Sequence, residues 1–239
     1  MDKTQHWERV YQTKAATEVS WFESIPQQSL DLILEAAGPT RGRVIDVGGG
    51  QSFLVDHLLA AGFAQVAVLD ISSAAIQATR ARLGDRASRV TWITADITQA
   101  DSLGSFDIWH DRAVLHFLTD RDDQRRYVEL LTKTLPIGGY FIVGAFAVGG
   151  PERCSGLPVQ QYDDTSMRKL LGTAFLPIRC LHYLHTTPAA CPKEGSDPLR
   201  FINNRRETSC FPKGSDPFFG QAASGKPQQF YFGVFQRQR

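Results

Sequence analysis

The sequence predicts a doubly wound α/β fold with a mostly parallel sheet, and three observations carry that prediction. Short apolar runs alternate with helix-period segments between residues 29 and 176. A glycine loop, Gly48, Gly49 and Gly50, separates the first apolar run from the helix after it. Acidic residues stand in or just beyond the first three runs: Asp46, Asp70 and Asp96. Strand–helix alternation gives a parallel sheet covered by helices on both faces. Such sheets bind ligands beyond the carboxyl ends of their strands, where the strand order switches direction.

Taken in order, buried strands are expected at 44–47, 66–69, 90–93, 106–109 and 140–146, and helices at about 53–61, 73–83, 120–135 and 165–171. Ser72 or Ser73 can cap the second helix. Thr119, with Asp122 three residues on, comes close to a capping box for the third. Gly138 and Gly139 end that helix and turn the chain into the next strand. Two further strands, 178–185 and 229–235, are expected to pair antiparallel at the sheet edge. Between them, at about 186–227, lies a long excursion rich in Pro, Gly, Ser and Asn, an ordered lid or a mobile loop. Within it, 191–198 and 210–217 echo one another, too few copies for a repeat architecture.

Composition narrows the function classes. At 239 residues and 42% hydrophobic, the chain fits one large domain, or one domain carrying an insertion, with a proper core. A net charge of +1 gives no electrostatic footprint for nucleic acid or an anionic membrane. The first nine residues hold no apolar signal region, and the longest apolar stretch, near 140–148, is too short and Gly-rich to span a bilayer. A cytoplasmic protein, monomeric or weakly dimeric, is expected, with Cys154, Cys180, Cys191 and Cys210 mostly reduced. These thiols with His182 and His185 permit a soft-metal site, but no Cys-x-x-Cys spacing supports one, so no metal is expected.

The chemistry lies at the strand ends. Glycines at 48–50 let the backbone approach a ligand closely, with a helix N-terminus facing it. Dinucleotide-binding dehydrogenases share such a loop, and Asp46 discriminates: a carboxylate there repels a pyrophosphate and attracts the ammonium of a methionine moiety. The expected cofactor is therefore S-adenosyl-L-methionine, with S-adenosyl-L-homocysteine as product. Asp70, followed by Ile71, stands where an acid accepts both ribose hydroxyls. Asp96 stands where an acid takes the adenine amino group, and Ile97 can lie on the ring. After the fourth strand, His110, Asp111 and Arg112 face the expected methyl position and are candidates for acceptor contact or proton removal, with His110 also expected to contact the cofactor. Against this, Asp111 and Arg112 can be an ion pair bracing the sheet, and His116, on an apolar face, reads better as a satisfied core histidine than as a base.

These segments, 44–52, 69–72, 95–98 and 109–118, resemble the bacterial class I methyltransferase-domain family, as do 150–159, 6–11, 19–22 and 228–235. The resemblance implies a seven-stranded, Rossmann-like sheet with an antiparallel C-terminal strand. It also implies an N-terminal segment, 1–28, that covers the cofactor and brings Tyr11 and Trp21 near it, ahead of a methyltransferase domain at 29–239. Thiopurine and halide/thiol methyltransferases carry a segment similar to 111–115, which favours a small-molecule acceptor such as a thiol, a chalcogen or metalloid species, or a metabolite hydroxyl. Protein-lysine methyltransferases share the spacing of Trp7 and Tyr11 but usually have Asp-Lys-Gly where Asp111, Arg112 and Ala113 stand. A lysine acceptor and a non-catalytic cofactor-binding module are the alternatives.

Overall fold

The structure is a computed structural model that describes residues 2–187 and 227–239. Most of the excursion expected at 186–227, with Cys191, Cys210 and the two echoing segments, lies outside the described residues. One seven-stranded sheet organises the rest, in the order β3-β2-β1-β4-β5-β9-β8. Its parallel strands are β1 (Val44–Val47), β2 (Val66–Asp70), β3 (Val90–Thr94), β4 (Ile108–Arg112) and β5 (Tyr140–Phe146). The last two, β8 (Phe175–Thr186) and β9 (Pro227–Arg237), form the expected antiparallel edge pair, with β9 also antiparallel to β5. A short hairpin, β6 (Arg153–Cys154) and β7 (Leu157–Pro158), was not legible in the sequence. The chain runs outward through β2 and β3, then returns to place β4 beside β1, so the switch point opens between β1 and β4.

Strand side chains alternate between the two faces with period two. Ile45, Val47, Ala67, Leu69 and Trp109 pack with helices α5 (Arg121–Thr134) and α6 (Asp164–Leu171) on one face. Val44, Val66, Val68 and Ile108 pack with α2 (Gln27–Ala37), α3 (Leu54–Ala60) and α4 (Ser73–Leu83) on the other. Ahead of the sheet stands α1 (Lys3–Thr13), none of whose residues is fully buried.

Two differences from expectation trace to particular hydrogen bonds. The fourth strand begins at Ile108 rather than residue 106, because the Phe106 amide bonds the Thr134 carbonyl at the end of α5 and Asp107 holds Arg43. Its polar end, His110 to Arg112, is nevertheless laddered between β1 and β5. Asp120, not Thr119, caps α5, its carboxylate accepting from the amides of Asp122 and Asp123. Ser72 caps α4, as one of the two expected serines.

Candidate active site

The glycine loop works by removing side chains. Gly48 sits at φ +72°, and a Cβ there would run into the Val114 side chain. A Cβ on Gly49 or Gly50 would come within 2.5 Å of the Asp46 or the Asp70 carboxylate. The loop therefore lies directly against two acids. Beyond it, a cavity of about 900 Å³, counting the part open to solvent, runs across the ends of the strands.

Asp46 and His110 are register partners on β1 and β4, and both point to the α2 face. His110 Nδ1 lies 2.7 Å from Asp46 Oδ1, and its Nε2 lies 2.9 Å from the Ser29 hydroxyl of α2. All three are buried, and Asp46 Oδ2 has no hydrogen-bond partner. A buried carboxylate oxygen without a donor is costly, and this one lies under Gly49, in a pocket lined also by Tyr11, Trp21, Gly48 and Arg112. It suits an ammonium ligand.

Asp70, Ile71, Asp96 and Ile97 line the main cavity. Asp70 Oδ1 accepts from the Ser72 amide at 2.8 Å, and burial raises its pKa to about 7, helped by the nearby charge of Asp46. Asp96 Oδ1 accepts from the amide and hydroxyl of Thr98, both at 2.8 Å, and no partner of its Oδ2 stands among the described residues.

The N-terminal segment closes the cavity from above. Glu8 on α1 reaches the first turn of α4, accepting from the Ser72 and Ser73 hydroxyls at 2.7 and 3.1 Å and from the Ala74 amide. These bonds, that from Ser72 foremost, hold its carboxyl below the usual range. Lys3 pairs with Asp123 of α5 at 2.6 Å. Between these two anchors Trp7 meets Trp21 and Phe117 edge-on, and Tyr11 meets Trp21. Tyr11 and Trp21 both line the cavity.

The three residues expected to face the acceptor separate, for the reason that strands alternate. Arg112 lines the cavity on the same face as His110, but its guanidinium is engaged: it pairs with Glu23 at 2.8 Å and donates to the Trp21 carbonyl at 2.9 Å. Glu23 also meets His185 Nδ1 at 2.9 Å; burial opposes its charge, yet these partners hold its carboxyl below the usual range. Arg112 thus braces the covering segment, and it makes no pair with Asp111. His110, with both ring nitrogens committed inside the protein, is not free to take a proton from an acceptor. That expectation is corrected to a positioning role on Asp46. Asp111 is corrected too. It points to the opposite face, fully buried, and accepts from the Tyr127 hydroxyl at 2.6 Å and from the amides of Val114 and Leu115. It fixes the turn after β4 and does not line the cavity.

His116 reverses its sequence reading in a different way. It is fully buried, but neither ring nitrogen has a hydrogen-bond partner, and it lines the cavity. Its imidazole stacks on Phe146 at 4.7 Å and meets Phe117 edge-on at 4.4 Å. Burial lowers its pKa to about 3, so the ring is neutral. Ser29 and Glu8 escaped the sequence reading because their partners lie 81 and 64 residues away. Among the described residues no cluster suits a metal ion, and no helix is long and apolar enough to cross a membrane.

Residues 45–141 match the family model for a methyltransferase domain. An eEF1A lysine and N-terminal methyltransferase from Danio rerio is 25% identical over 141 residues, 57% of this chain. The chain spans only 20% of that relative's length. The structure of the N-methyltransferase NodS from Bradyrhizobium japonicum WM9 in complex with S-adenosyl-L-homocysteine superposes with a TM-score of 0.63 at 17% identity, covering all of both chains. A SAM-dependent methyltransferase from Anabaena variabilis gives a TM-score of 0.69 at 11% identity, covering 100% of this chain and 96% of that one. The fold is that of class I methyltransferases. The cofactor of such a domain is S-adenosyl-L-methionine, and the residues fit it: a free carboxylate oxygen for an ammonium, an acid after each of the next two strands, and a loop with no Cβ in the way.

Proposed function

We propose that this S-adenosyl-L-methionine-dependent methyltransferase acts on a small-molecule nucleophile bound beneath the N-terminal segment. The observation that supports this most is the roofing of the cavity: α1 and residues 19–23 lie over it, tied to α4, α5, β4 and β8 by Glu8, Lys3 and Glu23. In this reading residues 1–28 are the cover and 29–239 the catalytic body.

Each residue then has a task. Asp46 Oδ2, held in place by His110 and Ser29, takes the ammonium of the methionine moiety. Asp70 accepts the ribose hydroxyls, Asp96 takes the adenine amino group, and Ile71 and Ile97 lie against the ring. When bound, the cofactor supplies an electrophilic methyl group. The chain aligns an acceptor in line with it and excludes water, which is where much of the rate of such a displacement originates. Trp7, Tyr11 and Trp21 do the excluding.

A protein-lysine acceptor is the second reading, favoured by the eEF1A methyltransferase relative. Incubating the protein and methyl-labelled cofactor with a cell lysate separates the two. Label in small-molecule extracts supports the proposal; label confined to protein bands overturns it.

A further inference from the structure

The acceptor end of the cavity has a chemistry of its own. Its walls are aromatic: Trp7, Phe117, Phe146 and Phe230 come from α1, the turn after β4, β5 and β9. The charged side chains that line this cavity besides Asp70 and Asp96 are Lys3 and Arg112, both cations already paired with acids. In the middle of the aromatic walls stands His116, whose two ring nitrogens find no partner. A buried imidazole that donates and accepts nothing leaves hydrogen-bonding capacity unused, and such a group is explained by a ligand or water that the protein alone does not show.

We propose that His116 is the specificity-determining hydrogen-bond partner of the methyl acceptor, and that the acceptor is an uncharged planar ring bearing an N–H or O–H nucleophile. The inference rests on the methyl-transfer reading above. Aromatic walls stack on a flat ring. Rings alone would also welcome a cation, but the acids at Lys3 and Arg112 are already neutralised by those partners, and a neutral imidazole adds no counter-charge. Burial disfavours a proton on His116, so the ring offers one donor and one acceptor nitrogen to a neutral group rather than a charge to an anion. In the transfer, the acceptor heteroatom bonds the methyl carbon as that carbon's bond to the sulfonium sulfur breaks, both electrons of that bond staying on sulfur. The heteroatom then sheds its proton to water at the open side of the cavity. His116 orients the nucleophile and need not hold that proton.

The test uses the full chain saturated with S-adenosyl-L-homocysteine and a panel of phenols, N–H heteroaromatics, aliphatic thiols and a lysine peptide. Binding is read from tryptophan fluorescence, since Trp7 and Trp21 line the cavity, and turnover from label transfer. A ring compound is expected to bind and be methylated in preference to the aliphatic thiols and the peptide. His116→Phe, which keeps a flat ring, is expected to weaken its binding at least tenfold with S-adenosyl-L-homocysteine affinity unchanged, and His116→Asn to recover part of the loss. Unchanged ring binding in His116→Phe, preference for an aliphatic thiol or the lysine peptide, or no ring binding at all overturns the inference. S-adenosyl-L-homocysteine failing to bind the parent protein overturns the methyl-transfer reading itself, and is seen separately before any acceptor is added.

Discussion

The two ends of the cavity are built on opposite principles. At the donor end, carboxylates and bare backbone come from positions in or just after β1, β2 and β3, and polar groups already inside the protein hold them in place. At the acceptor end, aromatic side chains from four separate stretches of chain meet around an imidazole that nothing holds. His110 and His116 make the contrast sharpest: six residues apart, one has both nitrogens engaged and the other neither. At the donor end the open oxygens belong to carboxylates fixed through their other oxygen, Asp46 by His110 and Asp96 by Thr98; at the acceptor end both imidazole nitrogens are unengaged.

The donor end is the place to break this contrast with the largest effect. Asp46→Asn removes the charge facing the ammonium while leaving an oxygen for His110. Hydrogen bonds to charged groups contribute about 1.5–3 kcal/mol, so S-adenosyl-L-homocysteine affinity falls about ten- to a hundredfold by calorimetry. An affinity within twofold of the parent would show that Asp46 Oδ2 does not meet the ligand.

Asp70 adds a pH dependence of stated sign. Its pKa stands at about 7 in the folded protein against an ordinary 3.8, so between those values the folded chain holds a proton that the unfolded chain has lost. Stability of the ligand-free protein contributed by this group therefore falls as pH rises from about 4 to 7, and the whole penalty stands above 7. Asp70→Asn lifts that penalty. Its melting temperature is expected to exceed the parent's at pH 8, with a gain that shrinks as pH is lowered, while cofactor affinity drops about tenfold with the lost charged hydrogen bonds. Because hydroxyls donate better to the ionised carboxylate, the parent's S-adenosyl-L-homocysteine affinity rises toward pH 7 and then levels. A flat profile would remove Asp70 from the ribose contacts.

The brace behind the site gives a different signature. Tyr127 donates to Asp111 and accepts from the Trp109 indole at 2.9 Å, all of them buried. Tyr127→Phe leaves the buried Trp109 indole N–H without a partner and takes one of several hydrogen bonds from Asp111, costing about 1–3 kcal/mol of stability in denaturant titration. The pH profile of turnover stays as in the parent. A profile that shifts would return Asp111 to the chemistry. The smallest effect is expected at the roof. Glu8→Gln keeps part of the contact to α4 but loses its charge, so cofactor dissociation quickens only a few-fold in stopped-flow, as for an exposed helix-end interaction of about 0.3–1 kcal/mol.

The same contrast decides what could be read from the sequence. The positions proposed for the donor end were legible because they sit at fixed offsets from apolar runs: Asp46, Gly48, Asp70 and Asp96 all stand in or just after the ends of β1, β2 and β3. The fates of His110 and Asp111 were half-legible. Period-two alternation already puts neighbours in β4 on opposite faces, so both could not point at one acceptor. Which face held the cavity depended on α2 and α5, and on Ser29 and Tyr127 as distant partners. His116 was read from its apolar neighbours as a satisfied core residue, and the neighbours were right. Satisfaction is a property of the packed surroundings, and no local pattern shows that Phe146 and Phe117 would occupy both sides of the ring while offering no polar atom. The acceptor walls were illegible for the same reason, since Trp7, Phe146 and Phe230 meet only once the sheet has closed around β9.

The acid-lined end of this cavity is proposed as the donor site for S-adenosyl-L-methionine. Calorimetric titration of the purified chain with S-adenosyl-L-homocysteine, beside NADH as a control, tests it most directly. The structure predicts saturable binding of one S-adenosyl-L-homocysteine per chain, weakened at least tenfold in Asp46→Asn, and no binding of NADH. Tight NADH binding with none of S-adenosyl-L-homocysteine would contradict it.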